Sequence, residues 1–340
     1  WELYRGAYFD NYWFFEALAA ERYWTDAPHD FTTFPLRFSK RFWGVDRDYY
    51  GEMAGLMETA PTNRRGVFLD AGVFTEGGTS QARLDYLGIA DYLDRQLATF
   101  RQAAKRNGET LNMLDMPILI IRYLGARMSG TQIIRYALDL GDTARVDAIL
   151  NGIRAIALRI TEKLQEGYRV YGCAVVDRQR IAKHLQELDA FAQAGDMRQW
   201  FTFRNYSASA LLPKTAPVTD VELPAADVKF SGIMNVHLVE MADVRVVHNG
   251  QDGLIYLKTS VEFTEGFAGR LLYGADGPVK AWVNGEAVDC RPDASNPCAA
   301  DEYAAAVTWR AGRNEVVFAL DTNQGKAWGI VARTAGAATG

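Results

Sequence analysis

At 340 residues, with 49% apolar, 12% aromatic and 23% charged side chains, the chain carries too many apolar groups and too little charge imbalance to stay disordered. Its 37 basic and 42 acidic residues leave a net charge of −5, which argues against a phosphate-tracking surface and so against a nucleic-acid partner. The longest apolar run, around Met116 to Ile121, falls far below the ~18 residues of a membrane span, so no membrane partner is expected either.

A prior of roughly 150 residues per domain predicts two domains. The chain opens on Trp1 amid dense aromatics (Tyr4, Tyr8, Phe9, Tyr12, Trp13), which reads as the middle of a core and predicts a fragment of a longer polypeptide. Helical spacing follows, with one helix before Trp24 and one ending near Glu58. The next runs from about Ser80 to Asn107 with Leu93, Leu97 and Phe100 inward, and another surrounds Ile118 to Leu124 with Pro117 in its first turn or at a kink. The clearest stripe is Val146, Ile149, Leu150, Ile153, Ile156, Ala157, Ile160 and Leu164, with Asp142 or Thr143 as its cap and Gly167 as its stop. A last helix follows Asp177 and ends at Gly195.

After Asn205 the texture changes. Pro213, Pro217 and Pro224 punctuate a stretch that reads as a linker or an edge segment. Short β-branched runs follow at Asn235–Glu240, Val244–His248, Leu254–Glu262, Arg270–Tyr273, Val279–Val283, Ala304–Trp309, Glu315–Leu320 and Ala327–Arg333. Turn dipeptides separate several of them, and Asn284-Gly285 is a strong hairpin signal. Such a pattern predicts a β-sandwich or jelly roll.

The chemistry-bearing residues are sparse. His29, His184, His237 and His248 are scattered without metal-ligand spacing, and no phosphate loop or nucleophile elbow is present, so neither a metal nor a cofactor is expected. Cys290 and Cys298 bracket a Pro- and Asn-containing loop; they are either a local disulfide, which implies an oxidising compartment, or two reduced thiols. Cys173 reads as a small buried apolar residue. Trp1, Glu2 and Asp10, set among tyrosines, have the residue types of a sugar site: carboxylates for acid and charge-stabilising roles, and aromatic walls for the ring. The same pattern also suits a core with a solvated face.

The run Ala19-Ala20-Glu21-Arg22-Tyr23-Trp24-Thr25, following Trp1-Glu2, resembles the barrel end of family 20 glycoside hydrolases, the β-N-acetylhexosaminidases. There a Trp-x-Glu segment closes the last strand and an Ala-Glu-Arg-Leu-Trp-Ser stretch follows on the last helix. Phe42-Trp43-Gly44, Arg198-Gln199-Trp200 and Phe203-Arg204-Asn205 also look like helical segments that follow such barrels. The resemblance implies that Trp1 lines a sugar pocket and Glu2 bonds sugar hydroxyls; Asp10, from the residue pattern alone, is a weaker candidate contact. Trp1 and Glu2 are adjacent here, where the family keeps one residue between them. The family's catalytic Asp–Glu pair would then lie upstream of Trp1, on a barrel that belongs to the same polypeptide, and this chain would lack the general acid.

The segment Leu272-Tyr273-Gly274-Ala275-Asp276-Gly277-Pro278-Val279-Lys280-Ala281-Trp282-Val283-Asn284-Gly285, with Asp321-Thr322-Asn323-Gln324-Gly325-Lys326-Ala327-Trp328-Gly329-Ile330, looks like the sugar-binding jelly-roll modules appended to bacterial glycoside hydrolases. Strand alternation puts Lys280 and Trp282 on one face and Val279, Ala281 and Val283 on the other. Trp282 and Trp328 are therefore candidate sugar platforms, with Asp276, Asn284, Asp321 and Asn323 as candidate hydroxyl partners. On the competing reading these tryptophans fill or seal the sandwich and the Asx residues only make turns.

The expected fold is α+β and multidomain: a helical region, comprising the end of a TIM-like barrel and a helical extension, then an antiparallel β-sandwich of the jelly-roll kind. The boundaries are 1–25 for the barrel end, 26–210 for the helical domain, 211–226 for the linker or edge segment, 227–334 for the sandwich and 335–340 for a disordered tail. The expected function is that of the C-terminal portion of a glycoside hydrolase acting on oligo- or polysaccharide, extracellular or periplasmic. The alternatives are a complete, non-catalytic secreted carbohydrate-binding or scaffold protein and a helical-toroid polysaccharide lyase, which would require a Tyr/His or Tyr/Arg site on the helices, where His184 is the lone histidine candidate.

Overall fold

The computed structural model describes residues 17–21, 23, 32–59, 72–74, 85–171, 175–225, 227–233, 235–237 and 241–336. Trp1, Glu2, Asp10, His29, Cys173 and most of the expected barrel end thus lie outside the described residues. The chain divides into a helical unit reaching Ala192 and a second unit from Gln193 onward.

The helical unit contains α1 (Phe34–Phe42), α2 (Tyr49–Thr59), α3 (Tyr86–Ala103), α4 (Asp115–Leu140), α5 (Thr143–Tyr171) and α6 (Val175–Gln193), with a 3-10 stretch at Gly108–Leu114. Asp85 caps α3 by accepting the Gly88 N–H at 2.9 Å, so the helix starts later than the apolar spacing alone indicates. Pro117 sits in the first turn of α4, where its missing N–H is harmless. The Asp142 carboxylate accepts the Arg145 N–H at 3.0 Å at the start of α5. That helix does not stop at Gly167 but continues to Tyr171, since one interior glycine costs only about 1 kcal/mol. Phe38, Trp43, Tyr49, Tyr50 and Phe100 form the aromatic part of one core, and the Trp43 indole donates to Thr110 Oγ1 at 3.0 Å. Among the described residues no helix is long and apolar enough to cross a membrane.

The second unit is an antiparallel sandwich. One sheet has the order β2 (Phe230–Ile233), β1 (Tyr206–Ser209), β5 (Leu254–Phe263), β10 (Gly312–Asp321), β7 (Val279–Val283), β8 (Glu286–Arg291). The other has β3 (Asn235–His237), β4 (Met241–Asp243), β11 (Gly329–Gly336), β6 (Phe267–Ala275), β9 (Tyr303–Trp309). Ile255, Leu257, Val279, Ala281, Val316 and Phe318 of the first sheet meet Leu271, Tyr273, Val307, Trp309 and Ile330 of the second in one core. The protein is therefore α+β, helices first and sandwich second.

Three sequence expectations are refined here. Of the two readings of 211–226, linker or edge segment, the second fits: Leu212 exchanges both backbone hydrogen bonds with Leu254, and Val218, Val221 and Leu223 lie against the outer face of the six-stranded sheet. Prolines that suggest a tether instead shape a strap whose apolar residues cover that face. Val244–His248 is not a strand; it contains a short helix, α7 (Arg245–His248), because the Asp243 carboxylate accepts the Arg245 N–H at 2.9 Å. The tail is ordered through Gly336, with Ala335 and Gly336 paired to Arg270 and Gly269 in β6.

Candidate functional site

The connections at one end of the sandwich bring together the β4–β5 segment with α7, the β6–β7 turn, the β8–β9 loop and the β10–β11 loop. Four of the sequence candidates, Asp276, Asp321, Asn323 and Trp328, come from these connections. Asn284 belongs to the opposite end, in the β7–β8 hairpin. Its φ of 52° and the 86° of Gly285 suit a turn of left-handed residues, and its amide is engaged with Asn314 Oδ1 at 2.9 Å and the Glu315 N–H at 3.0 Å. It makes the turn and does not join the other four.

Trp282 points outward, as alternation predicts, but it is only 3% exposed. The strap covers it with Val218 and Val221; the Lys280 ammonium donates to Thr219 O at 3.1 Å and Val221 O at 2.8 Å, and the Tyr256 hydroxyl donates to Glu222 O at 2.8 Å. It is no sugar platform.

Asp276 is buried, and its carboxylate is fully occupied by backbone. It accepts the Cys298 N–H, the Trp328 N–H at 3.1 Å and the Gly329 N–H at 3.2 Å. Burial pushes its carboxyl above the usual carboxylate range, against the pull of those donors and of Arg245. Asp321 accepts the Asn323 N–H at 2.8 Å and pairs with Lys214 at 2.8 Å, which ties the strap to the β10–β11 loop. Both carboxylates build the end of the sandwich; neither reaches toward a ligand.

Trp328 behaves differently. It is 41% exposed, yet it is held in place: its N–H binds Asp276, its C=O accepts the Val244 N–H at 2.8 Å, and the Arg245 guanidinium lies 4.4 Å from its ring centroid. Arg245 is itself fixed by Asp243, with Nε–O distances of 3.0 and 3.2 Å and an Nη2–Oδ2 distance of 2.5 Å, leaving Nη1 outside that pair. Val246, next to Arg245 on α7, is 74% exposed. Beneath them, His248 donates Nε2–H to Ala327 O at 2.8 Å and accepts the Gly250 N–H on Nδ1 at 3.0 Å, so its tautomer is fixed by structure. The result is a braced, partly exposed indole with the Arg245 guanidinium of α7 against its ring and Asn323 on its own β10–β11 loop, suited to stack on an apolar ring face.

Sequence reasoning missed Asp243 and Arg245, because the β-branched run Val244, Val246, Val247 reads as strand. The signal was the Asp-x-Arg spacing before Asn249-Gly250, an Asp that accepts the N–H two residues on, with a turn after the short helix.

Cys290 and Cys298 are both free. Cys290 packs against the strap cluster on the outer face of β8, whereas the Cys298 backbone is anchored to Asp276, so the loop bridge is not formed. Burial pushes both thiols up, Cys298 to about 12 with the Asp276 carboxylate adding to it. Among the described residues no group of three His, Cys, Asp or Glu side chains is placed to hold a metal ion.

The helical unit does bring a tyrosine, a histidine and an arginine together. The Tyr123 hydroxyl lies 2.9 Å from His184 Nδ1, and Arg127 donates to Val73 O at 3.0 Å and to Gly72 O, while Glu187 accepts the Val73 N–H at 2.7 Å. All three are buried, and burial pushes the Tyr123 phenol up to about 12. A lyase needs such a pair open to substrate; this one is buried, and Arg127 and Glu187 hold residues 72–73 beside it.

No protein-family model matches the chain, and no curated protein matches it significantly. Among solved structures, it is similar to the β-glucosidase from Kluyveromyces marxianus in complex with glucose at 12% identity and a TM-score of 0.27, over 39% of this chain and 16% of that one. A GH2 β-galacturonidase from Eisenbergiella tayi bound to galacturonate gives 10% identity and a TM-score of 0.25, over 38% and 23%. The PA14 domain of the antifreeze protein MpAFP gives 13% identity and a TM-score of 0.25, over 44% and 88%. The chain thus spans less than a quarter of these glycosidases, and likeness at this level assigns neither family nor activity.

Proposed function

We propose that the sandwich is a carbohydrate-contacting module and that Trp328 is its platform. One observation carries this reading: Trp328 is a large, rigidly braced aromatic left 41% exposed, whereas Trp282 and Trp309 of the same unit are buried. Its ring stacks on a pyranose face, and Arg245 and Asn323 bond the ring substituents. The wider setting we propose is the C-terminal part of a secreted glycoside hydrolase, of the β-N-acetylhexosaminidase kind suggested by Ala19–Thr25. In this setting Trp1, Glu2 and Asp10 contact substrate, and the acid and the carboxylate that assists the acetamido group lie upstream.

Affinity electrophoresis in gels containing a panel of soluble polysaccharides tests the module. Wild type is retarded by at least one glycan and Trp328→Ala by none. Equal mobility of the two proteins in every gel refutes the platform. The setting is tested separately with chromogenic glycosides: turnover by this chain alone, abolished by changing one of its own acids, refutes the absence of the general acid.

A further inference from the structure

An open notch of about 500 Å³ in the helical unit is lined by Lys40, Gly44, Asp46, Lys105 and Arg106. One wall is the last turn of α1 and the residues after it; the other is the turn that follows α3. The walls are tied by backbone and amide bonds, with Lys105 N–H donating to Trp43 O at 2.9 Å and Asn107 Nδ2 to Phe42 O at 2.8 Å. Gly44, at φ 73°, keeps the notch open: a Cβ there would stand 3.2 Å from Lys105 Cβ and 3.4 Å from Arg106 Nε.

Cations near a helix C-terminus ordinarily serve its carbonyls. Here the carbonyls of Phe42 and Trp43 are already met by the Asn107 amide and the Lys105 backbone N–H, and that of Lys40 by a single Arg106 N–H at 3.1 Å. The Lys105 ammonium and the remaining Arg106 donors therefore have no acidic partner among the described residues. The one carboxylate in the notch, Asp46, is held by Lys40 at 2.6 Å and is largely exposed. Three cations thus face one acid around a concave surface, and the Arg106 fork is oriented by its bond to Lys40 O, an arrangement that concentrates anions.

We infer that this notch binds an oxyanion, a sulfate, phosphate or carboxylate, with Lys105 and Arg106 as its main ligands. The same chemistry is offered by a free inorganic anion and by an acidic sugar. Isothermal titration of the full chain at constant ionic strength with sodium sulfate, sodium phosphate and sodium glucuronate, against chloride, reads the difference. Heat from sulfate or phosphate alone marks a free tetrahedral anion, and heat from glucuronate marks an acidic sugar. Either supports the site, provided that Lys105→Ala/Arg106→Ala weakens binding about ten-fold or more, as loss of two charge-assisted bonds requires. Asp46→Asn, which removes the only opposing charge, tightens binding several-fold, and Lys105→Arg retains it. These positions are exposed, so thermal melts of the variants match wild type. No heat from any of the three anions at millimolar concentration overturns the inference, as does equal affinity in the double variant. Trp328→Ala leaves anion affinity unchanged, so failure of the sugar platform and failure of this site are separable.

Discussion

Trp282 and Trp328 occupy two regions of one sandwich and carry the same side chain, but they have opposite fates. Trp282 lies on the outer face of the six-stranded sheet, where Val218, Val221 and Leu223 of the strap exclude water from it. Trp328 stands where the β10–β11 loop meets α7, backed by Arg245 and left 41% exposed. The difference teaches that an outward-pointing aromatic on a strand is a platform only if no later or earlier segment returns to cover it. The largest expected effect tests the covered side. Trp282→Ala removes a buried indole and should cost about 3–5 kcal/mol of folding stability in denaturant titration. A loss below about 1 kcal/mol would falsify the closed strap.

The next effect in size concerns the loop end that carries Trp328. A thiol pushed up to about 12 is almost entirely protonated at pH 8, so Cys298 should alkylate about 100-fold more slowly than a free cysteine, after allowing for the greater intrinsic reactivity of a basic thiolate. The sign follows from the acid equilibrium: the rate climbs with pH up to about 12 instead of levelling near 8.5. Iodoacetamide labelling followed by peptide mass spectrometry reads it, and fast labelling at pH 8 would show that the β8–β9 loop is open. Smaller again is Asp276→Ala, which leaves three backbone donors around Cys298, Trp328 and Gly329 without their acceptor and should cost about 2 kcal/mol. It should also loosen Trp328, so sugar retardation weakens together with stability.

Much of the local structure was legible in sequence. The stripe Val146 to Leu164 predicts α5, Asn284-Gly285 predicts its hairpin, and alternation assigns Trp282 to the face opposite Val279, Ala281 and Val283. What failed was every question of which distant segment meets which. The Asp276 turn reads as a hydroxyl partner, but its oxygens are taken by N–H groups 22 and 52 residues away. The strap reads as either a linker or an edge segment because proline spacing is local, whereas the face it covers is assembled from β5, β7 and β10. At α7 the β-branched run reads as strand, but the Asp243 carboxylate turns the chain by accepting the Arg245 N–H, since propensity is a weak prior against a specific side-chain bond.

The smallest expected effect on stability is the most informative about function. Trp328→Ala removes a ring that is already 41% exposed, and its backbone bonds to Asp276 and Val244 do not depend on the side chain. The cation–π contact with Arg245 is lost, worth about 0.5–1 kcal/mol for a partly exposed pair, together with the burial of the covered part of the ring. Arg245 stays on Asp243, so no buried charge is abandoned. Folding stability should therefore fall by about 1–2 kcal/mol, less than for Trp282→Ala, while glycan retardation disappears. A substitution that leaves the fold intact and removes binding separates a platform from a packing residue. If Trp328→Ala instead destabilises as much as Trp282→Ala, the two regions are alike and Trp328 is a second sealing residue.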